Sequence, residues 1–184
     1  MRVIAGEFRG RILKSPPGDR TRPTSDRLRE TLFNIIAPQI DSGTRFLDLC
    51  AGTGAIGIEA ISRGAAFAGF IDKSRRACAL IEQNLDLLGI PEPASDVVCA
   101  SAENFLGRTV PEPWQIIFFD PPYSHDHFPV IHAIANSESI LDIDNGLFIA
   151  EHHSKTVLPD ACGDLRRWRI VRQGESCLSF YSFG

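Results

Sequence analysis

The sequence has no apolar run approaching the roughly 20 residues that a membrane span requires. Residues 1–7 lack the apolar core of a secretory signal. No Cys-x-x-Cys pair occurs. Cys50, Cys78, Cys99, Cys162 and Cys177 are odd in number and widely spaced, which points away from a disulfide framework or a zinc site and toward reduced, mostly buried thiols in a cytoplasmic protein. Internal repeats and long low-complexity segments are absent. There is also no excess of positive charge: 19 Lys and Arg stand against 23 Asp and Glu, a net of −4, which argues against general affinity for nucleic acid.

What is present is a hydrophobic content of 43% and a charged content of 23%, as in water-soluble globular chains, over a length of 184 residues that suits one domain. The charge is unevenly spread. Residues 1–30 hold eight basic side chains against four acidic ones, so a basic arm precedes an acidic body. Such an arm suits a localised phosphate contact, arginine especially; the plainer alternative is a solvated charged surface.

Residues 3–6 and 10–13 read as two short strands of a hairpin, and Ser15-Pro16-Pro17-Gly18-Asp19 as a turn. Thr24 or Ser25 suits the N-cap of a helix whose apolar face is Leu28, Leu32, Ile35 and Ile36, ended by Pro38. Strands and helices then alternate. Strands are expected at 45–49, 66–71, 96–100, 115–119 and 146–151, and helices at 55–63, 74–88 and 128–135. Segments 165–171 and 176–183 suit a closing antiparallel pair. This pattern implies an α/β fold with a doubly wound, Rossmann-like, mostly parallel sheet, an antiparallel C-terminal strand and a small N-terminal β-hairpin. Residues 1–184 form one domain in this reading, with 1–23 as its basic appendage.

Two loops carry the chemistry. Asp48-Leu49-Cys50-Ala51-Gly52-Thr53-Gly54-Ala55-Ile56-Gly57 links the first parallel strand to its helix and meets the spacing G-x-G-x-x-G. Asp72, at the end of the next strand, is placed to accept from ribose hydroxyls, with Lys73 beside it. Alone, this half also suits a nicotinamide or flavin cofactor. Asp48 at the strand edge would repel a pyrophosphate but not the ammonium and sulfonium of S-adenosylmethionine. Ser101 and Ala102, after the third strand, are candidates for the adenine edge, or Ser101 is simply a helix N-cap. Cys50 reads as packing rather than a nucleophile.

The second loop is Asp120-Pro121-Pro122-Tyr123. It follows the apolar run Ile116-Ile117-Phe118-Phe119, so it lies where an α/β sheet binds ligands. The prolines remove two backbone donors. The Asp120 carboxylate and a rigid carbonyl can then grip a planar amino group while Tyr123 stacks on the ring bearing it. That suits methyl transfer to an exocyclic amine; a proline-rich turn is the plainer alternative. With both loops together, S-adenosylmethionine is favoured over NAD.

The whole set resembles the RsmD family of class I methyltransferases. The matching stretches are Met1-Arg2-Val3-Ile4-Ala5-Gly6, the block from Arg22-Pro23-Thr24-Ser25-Asp26 through Arg27-Leu28-Arg29-Glu30-Thr31-Leu32-Phe33-Asn34, the loop from Asp48 to Gly57, and Asp120-Pro121-Pro122-Tyr123. The resemblance implies methylation of guanine N2 in small-subunit ribosomal RNA, with naked RNA or an assembling subunit as partner and no membrane, in a monomer. Cofactor contacts are then expected at Asp48, Ala51, Gly52, Thr53, Gly54, Asp72, Lys73, Ser101, Ala102 and Asp120. Catalysis is expected at Asp120, Pro121, Pro122 and Tyr123. Arg9, Arg11, Arg22, Arg27 and Arg29 are candidates for RNA phosphates. No metal is expected; His125 with His127 and His152 with His153 read as solvated loops. Rival readings are methylation of a DNA base or a protein glutamine, a non-catalytic ribosome assembly factor, and an NAD oxidoreductase.

Overall fold

A computed structural model describes residues 1–16, 23–137 and 139–184. The described residues form one sheet of eight strands: β1 (Arg45–Leu49), β2 (Phe67–Asp72), β3 (Ser95–Cys99), β4 (Ile116–Phe119), β5 (Leu147–His153), β6 (Ala161–Cys162), β7 (Leu165–Gln173) and β8 (Ser176–Phe183). Their order is β3-β2-β1-β4-β5-β8-β7-β6. The first five run parallel; β8 pairs antiparallel with both β5 and β7. The order reverses between β1 and β4, which opens a crevice at the carboxyl ends of those two strands.

Among the described residues, five α-helices cover both faces: α1 (Pro23–Ile36), α2 (Ala55–Ser62), α3 (Arg75–Leu88), α4 (Ala102–Leu106) and α5 (Phe128–Ala135). Successive strand side chains point to opposite faces. Thus Ile117 and Phe119 pack with α4 and α5, while Ile116 and Phe118 pack with Leu28, Leu32, Phe33 and Ile36 of α1. Cover on both faces explains why β4 is an unbroken apolar run rather than an alternating one. A third cluster joins Ala68 and Phe70 of β2 to Ile58, Ile81 and Leu85.

Most element boundaries fall within two residues of those expected. Ser74 and Gly89 flank α3, with the Ser74 hydroxyl accepting from Ala77 N–H and Gly89 in the left-handed region, as capping chemistry requires. One expectation changes. Helix α1 begins at Pro23, where its fixed φ and missing N–H suit a first turn, so Thr24 and Ser25 lie inside the helix rather than capping it. Helix α4 is the one that the N-cap reading of Ser101 implies, whereas strand β6, two residues long, carries too little periodicity to be read in advance.

The hairpin is present as antiparallel pairing of Arg2 with Ile12, extended by Val3 N–H to the Arg11 carbonyl at 3.0 Å and Leu13 N–H to the Met1 carbonyl at 2.9 Å. Val3 and Leu13 are buried in the cluster below it. Its anchor is Glu59 on α2, which is fully buried. Glu59 Oε2 accepts from Ile4 N–H at 2.7 Å, and Oε1 accepts from Ala5 N–H at 3.0 Å and from Arg63 Nε at 2.8 Å. The expected turn after it falls largely outside the described residues.

Candidate active site

The carboxyl ends of β1 to β4 border a cleft of about 910 Å³, closed on its other side by Met1, by Leu28, Arg29 and Leu32 of α1, and by Ser176 and Leu178 of β8. Its two walls are built differently.

On the β1–β3 side the wall is mostly main chain. Cys50 leaves β1 with φ of 66°, a left-handed conformation that is unusual for a residue with a side chain. Gly52 follows with φ of 58°, and a Cβ there would meet nothing within 4 Å. The turn closes through Ala51 N–H to the Ile71 carbonyl at 3.0 Å and Gly54 N–H to the Ala51 carbonyl at 2.8 Å. Asp72 ties this loop to β2: one carboxylate oxygen accepts from Gly52 N–H at 2.9 Å, the other from Ser74 N–H at 2.8 Å. An ionised carboxylate offers about four acceptor sites, so two donors leave capacity for a ligand diol. Ser101 N-caps α4, its hydroxyl accepting from Asn104 N–H at 3.2 Å, and Ala102 is buried behind it.

On the β4–β8 side the wall is side chains. Asp120 N–H reaches the Leu49 carbonyl at 3.4 Å, placing its residue across the crevice from β1. Pro121 is buried, and the Pro122 carbonyl accepts from His125 N–H at 2.8 Å. No hydrogen bond to the Pro121 carbonyl occurs among the described residues. The Tyr123 hydroxyl lies 3.1 Å from Ser176 Oγ, and its ring meets His153 edge-on with centroids 5.1 Å apart. His125 Nε2 is 3.0 Å from Glu103 Oε1. Partial burial raises the Glu103 carboxyl, but its own backbone N–H, Ser101 and His125 outweigh this and hold it below the ordinary carboxylate value. Burial, with Asp72, Asp120 and Asp48 nearby, pushes the Cys50 thiol up to about 12, so it is no nucleophile at neutral pH.

Among the described residues, Asp72, Glu103, Asp120 and Glu151 line the cleft together with Lys73 and Arg29. Arg29 is spoken for: it is 4% exposed, and its Nη2 donates to the Arg2 carbonyl at 2.6 Å and to Asp26 at 3.1 Å.

The family model described as "Conserved hypothetical protein 95" matches residues 1–182. The chain belongs to that family, the RsmD methyltransferases. Over 183 residues this RsmD-family chain is 37% identical to a Bacillus subtilis (strain 168) protein described as "Putative rRNA methyltransferase YlbH", covering 98% of each. It is 42% identical over 123 residues to "Ribosomal RNA small subunit methyltransferase D" of Escherichia coli (strain K12), a match spanning 67% of this chain and 60% of that protein. In three dimensions it is similar to the Escherichia coli structure described as "Putative methyltransferase yhhF", with a TM-score of 0.87, 34% identity, and coverage of 100% of this chain and 97% of that one.

Within this RsmD-family cleft the structure gathers Ala51, Gly52, Thr53, Asp72, Lys73, Ser101, Ala102 and all four residues of Asp120-Pro121-Pro122-Tyr123. Two expected contacts are corrected. Asp48 is 2% exposed and turned beneath the loop, where Oδ2 accepts from Gly57 N–H at 3.0 Å; it braces α2 and does not border the cleft. Gly54 faces inward too, since a Cβ there would lie 3.1 Å from Ile81. The basic candidates divide. Arg9 and Arg27 are exposed and share a small groove beside α1. Arg29 is internal, and Arg11 donates to the Leu87 carbonyl at 3.1 Å, against the carbonyl-rich end of α3. Arg22 lies outside the described residues.

The histidines are not all solvated loops. His152 and His153 belong to β5, and His127 and His152 are 3% and 2% exposed. His127 Nε2 lies 2.9 Å from the Glu151 carbonyl and His152 Nε2 lies 2.9 Å from Ser179 Oγ, with burial lowering the His152 pKa. No cluster able to hold a metal is found among the described residues. Three functional placements have no signal in the sequence: Glu59 under the hairpin, Ser176 against Tyr123, and Glu103 opposite His125. Each joins residues more than 20 positions apart.

Proposed function

We propose that the protein transfers the methyl group of S-adenosylmethionine to the exocyclic N2 amine of a guanine in small-subunit ribosomal RNA. The observation that carries this reading is the Asp120 carboxylate beside the rigid Pro121 carbonyl at the mouth of an acid-lined cleft at the sheet's switch point. The names of its RsmD-family relatives add the ribosomal target.

The cleft fits the cofactor on chemical grounds. Asp72 would take the ribose diol, the Gly52 and Thr53 main chain the amino-acid end, and Ser101 and Ala102 the adenine edge. Bound there, the cofactor would supply an electrophilic methyl on a sulfonium, already a good leaving group. The protein's share is positioning and water exclusion. The guanine is unstacked into the cleft and stacks on Tyr123, an interaction worth about 1–3 kcal/mol. The Asp120 carboxylate and the Pro121 carbonyl accept from its two amino hydrogens. Those bonds draw the nitrogen lone pair out of conjugation and aim it at the methyl carbon. The cofactor would supply the methyl carbon with its sulfur as leaving group, and the amine's surplus proton would pass to solvent. No strong base is required, so Asp120 acts mainly in orientation. Residues 1–184 act as one domain, with Arg9 and Arg27 of the basic arm and α1 meeting RNA phosphates.

The test is transfer of labelled methyl to unmodified small ribosomal subunits, naked ribosomal RNA, duplex DNA and a glutamine-bearing protein substrate. The expected product is N2-methylguanine in the subunit RNA. Label confined to DNA adenine or cytosine, or to glutamine, would replace this reading by another amino methyl transfer.

A further inference from the structure

Strand β7 carries four arginines and no acid: Arg166, Arg167, Arg169 and Arg172. This is the densest basic stretch of an acidic chain. Two of the four are used internally. Arg167 donates to the Leu158 carbonyl at 3.2 Å and pairs with Asp160, while Arg166 donates to the Gly163 and Leu165 carbonyls. Arg169 and Arg172 are exposed, and their side chains enter no hydrogen bond or ion pair among the described residues. Between them and the anchored pair stands Trp168, 49% exposed, its ring tilted against buried Phe180 with centroids 5.6 Å apart.

The outer edge of β7 is covered only at its start. Cys162 pairs with Leu165, Ala161 pairs with Arg166, and Arg167 N–H reaches the Asp160 carbonyl. From Trp168 onward no described strand pairs with that edge. Cross-strand partners share a face. Arg169 stands opposite Phe180, on the α1 side, and Arg172 opposite Cys177, on the other, so the two guanidinium groups straddle the edge. Charged side chains on an edge strand ordinarily serve to block sheet-to-sheet pairing. A half-exposed indole works against that purpose, so edge protection does not account for this strand. Guanidinium groups flanking an aromatic platform held in place from behind are what single-stranded nucleic acid requires: phosphate contacts plus a surface for a base.

The location agrees. The β7–β8 hairpin sets Gln173 opposite Ser176, and Ser176 lines the cleft. Strand β7 therefore leads away from the mouth of the cleft, with Trp168 roughly 17 Å along at about 3.3 Å per residue. We propose that β7 is a second RNA contact, in which Arg169 and Arg172 bind phosphates and Trp168 stacks on an unpaired base of the strand flanking the target nucleotide. This rests on the RNA reading of the cleft.

The test compares the full-length protein with Arg169→Gln/Arg172→Gln and with Trp168→Ala. Three quantities are measured: affinity for unmodified naked small-subunit RNA across a salt series, KM and kcat for methyl transfer to it, and the thermal midpoint. The double variant should bind about tenfold or more weakly, raise KM more than it lowers kcat, and flatten the slope of log affinity against log salt by roughly 1.4, or about 0.7 per phosphate on a single strand. Trp168→Ala should weaken binding by about fivefold or more at unchanged salt slope. Unchanged affinity and slope in both variants, with wild type active on RNA, would overturn the proposal while leaving the cleft's function intact. A loss seen only on assembled subunits would also overturn it, in favour of a ribosomal protein contact. Wild type that transfers methyl only to DNA or protein would overturn both.

Discussion

The β1–β3 wall of the cleft and the β4–β8 wall rest on different kinds of structure. The first is shaped by main chain: a left-handed Cys50, the Gly52 turn, and Asp72 holding two backbone N–H groups. The second is shaped by side chains from distant segments: Asp120, Tyr123 against Ser176, and His125 against Glu103. A wall of main chain is robust to exchange of most side chains but sensitive to anything that alters the turn or its packing. A wall of side chains has the opposite profile, since each group is replaceable only at the cost of its particular contact.

The largest effect should come from the side-chain wall. Asp120→Ala is expected to lower kcat by roughly 10²–10³-fold, the range for removing one group that meets developing charge, while cofactor affinity stays within a few-fold. Titration calorimetry with cofactor and single-turnover methyl transfer together check this; equal loss of both would move Asp120 to the cofactor side of the comparison. Next is Glu59→Ala, which strips a buried carboxylate from Ile4, Ala5 and Arg63. It should cost about 3 kcal/mol in denaturant unfolding and speed hydrogen exchange across residues 3–13.

The main-chain wall is probed by Gly57→Ala. A Cβ there would lie 2.4 Å from the Phe70 ring, so α2 must move off the sheet, at about 1–3 kcal/mol. Weakened cofactor binding alongside lost stability would mark packing of α2 as what sets the loop. Tyr123→Phe removes the hydroxyl that meets Ser176, at about 1 kcal/mol, or fivefold in kcat/KM, with stacking kept.

Asp48 supplies an effect that depends on pH. Burial, opposed only by the Gly57 N–H, raises its pKa to about 8. Its folded value lies above its unfolded one, so the folded state binds the extra proton. The stabilising contribution is therefore complete below about pH 3.8 and is lost as pH rises toward 8. Asp48→Asn keeps an acceptor for Gly57 without that titration. Relative to wild type, its thermal midpoint should rise progressively between pH 5 and pH 9. A constant difference across that range would mean that Asp48 does not titrate there.

The parallel half was legible because its signals are local. Period-two and period-3.6 patterns, Ser74 and Gly89 at the ends of α3, and the glycine spacing all lie within a few residues of what they specify. The Asp-Pro-Pro-Tyr turn was legible for the same reason: a strand ends and its chemistry follows at once. Asp48 misled because its neighbours in sequence point to the loop, while its side chain is turned under α2 toward Gly57, nine positions on. Arg29 misled because a basic segment does not reveal which of its members face inward. His152 reads as solvated in the sequence because its cover comes from Ser179 of β8, whose place between β5 and β7 no local pattern announces, and His127 because it is covered by Phe119 and the Glu151 carbonyl, which lie several residues away along the chain.

That placement bears on how the protein comes into being. β8 is the last described strand to be synthesised, yet it is an interior member of the sheet and brings Ser176 and Leu178 to the cleft. Until it is made, β5 and β7 each have an open flank and Tyr123 lacks its contact with Ser176. Such long-range pairing is slow to form. A nascent chain therefore holds the cofactor loop early but gains a complete substrate wall only at the end, so competence to modify RNA arrives in one late step rather than growing with chain length.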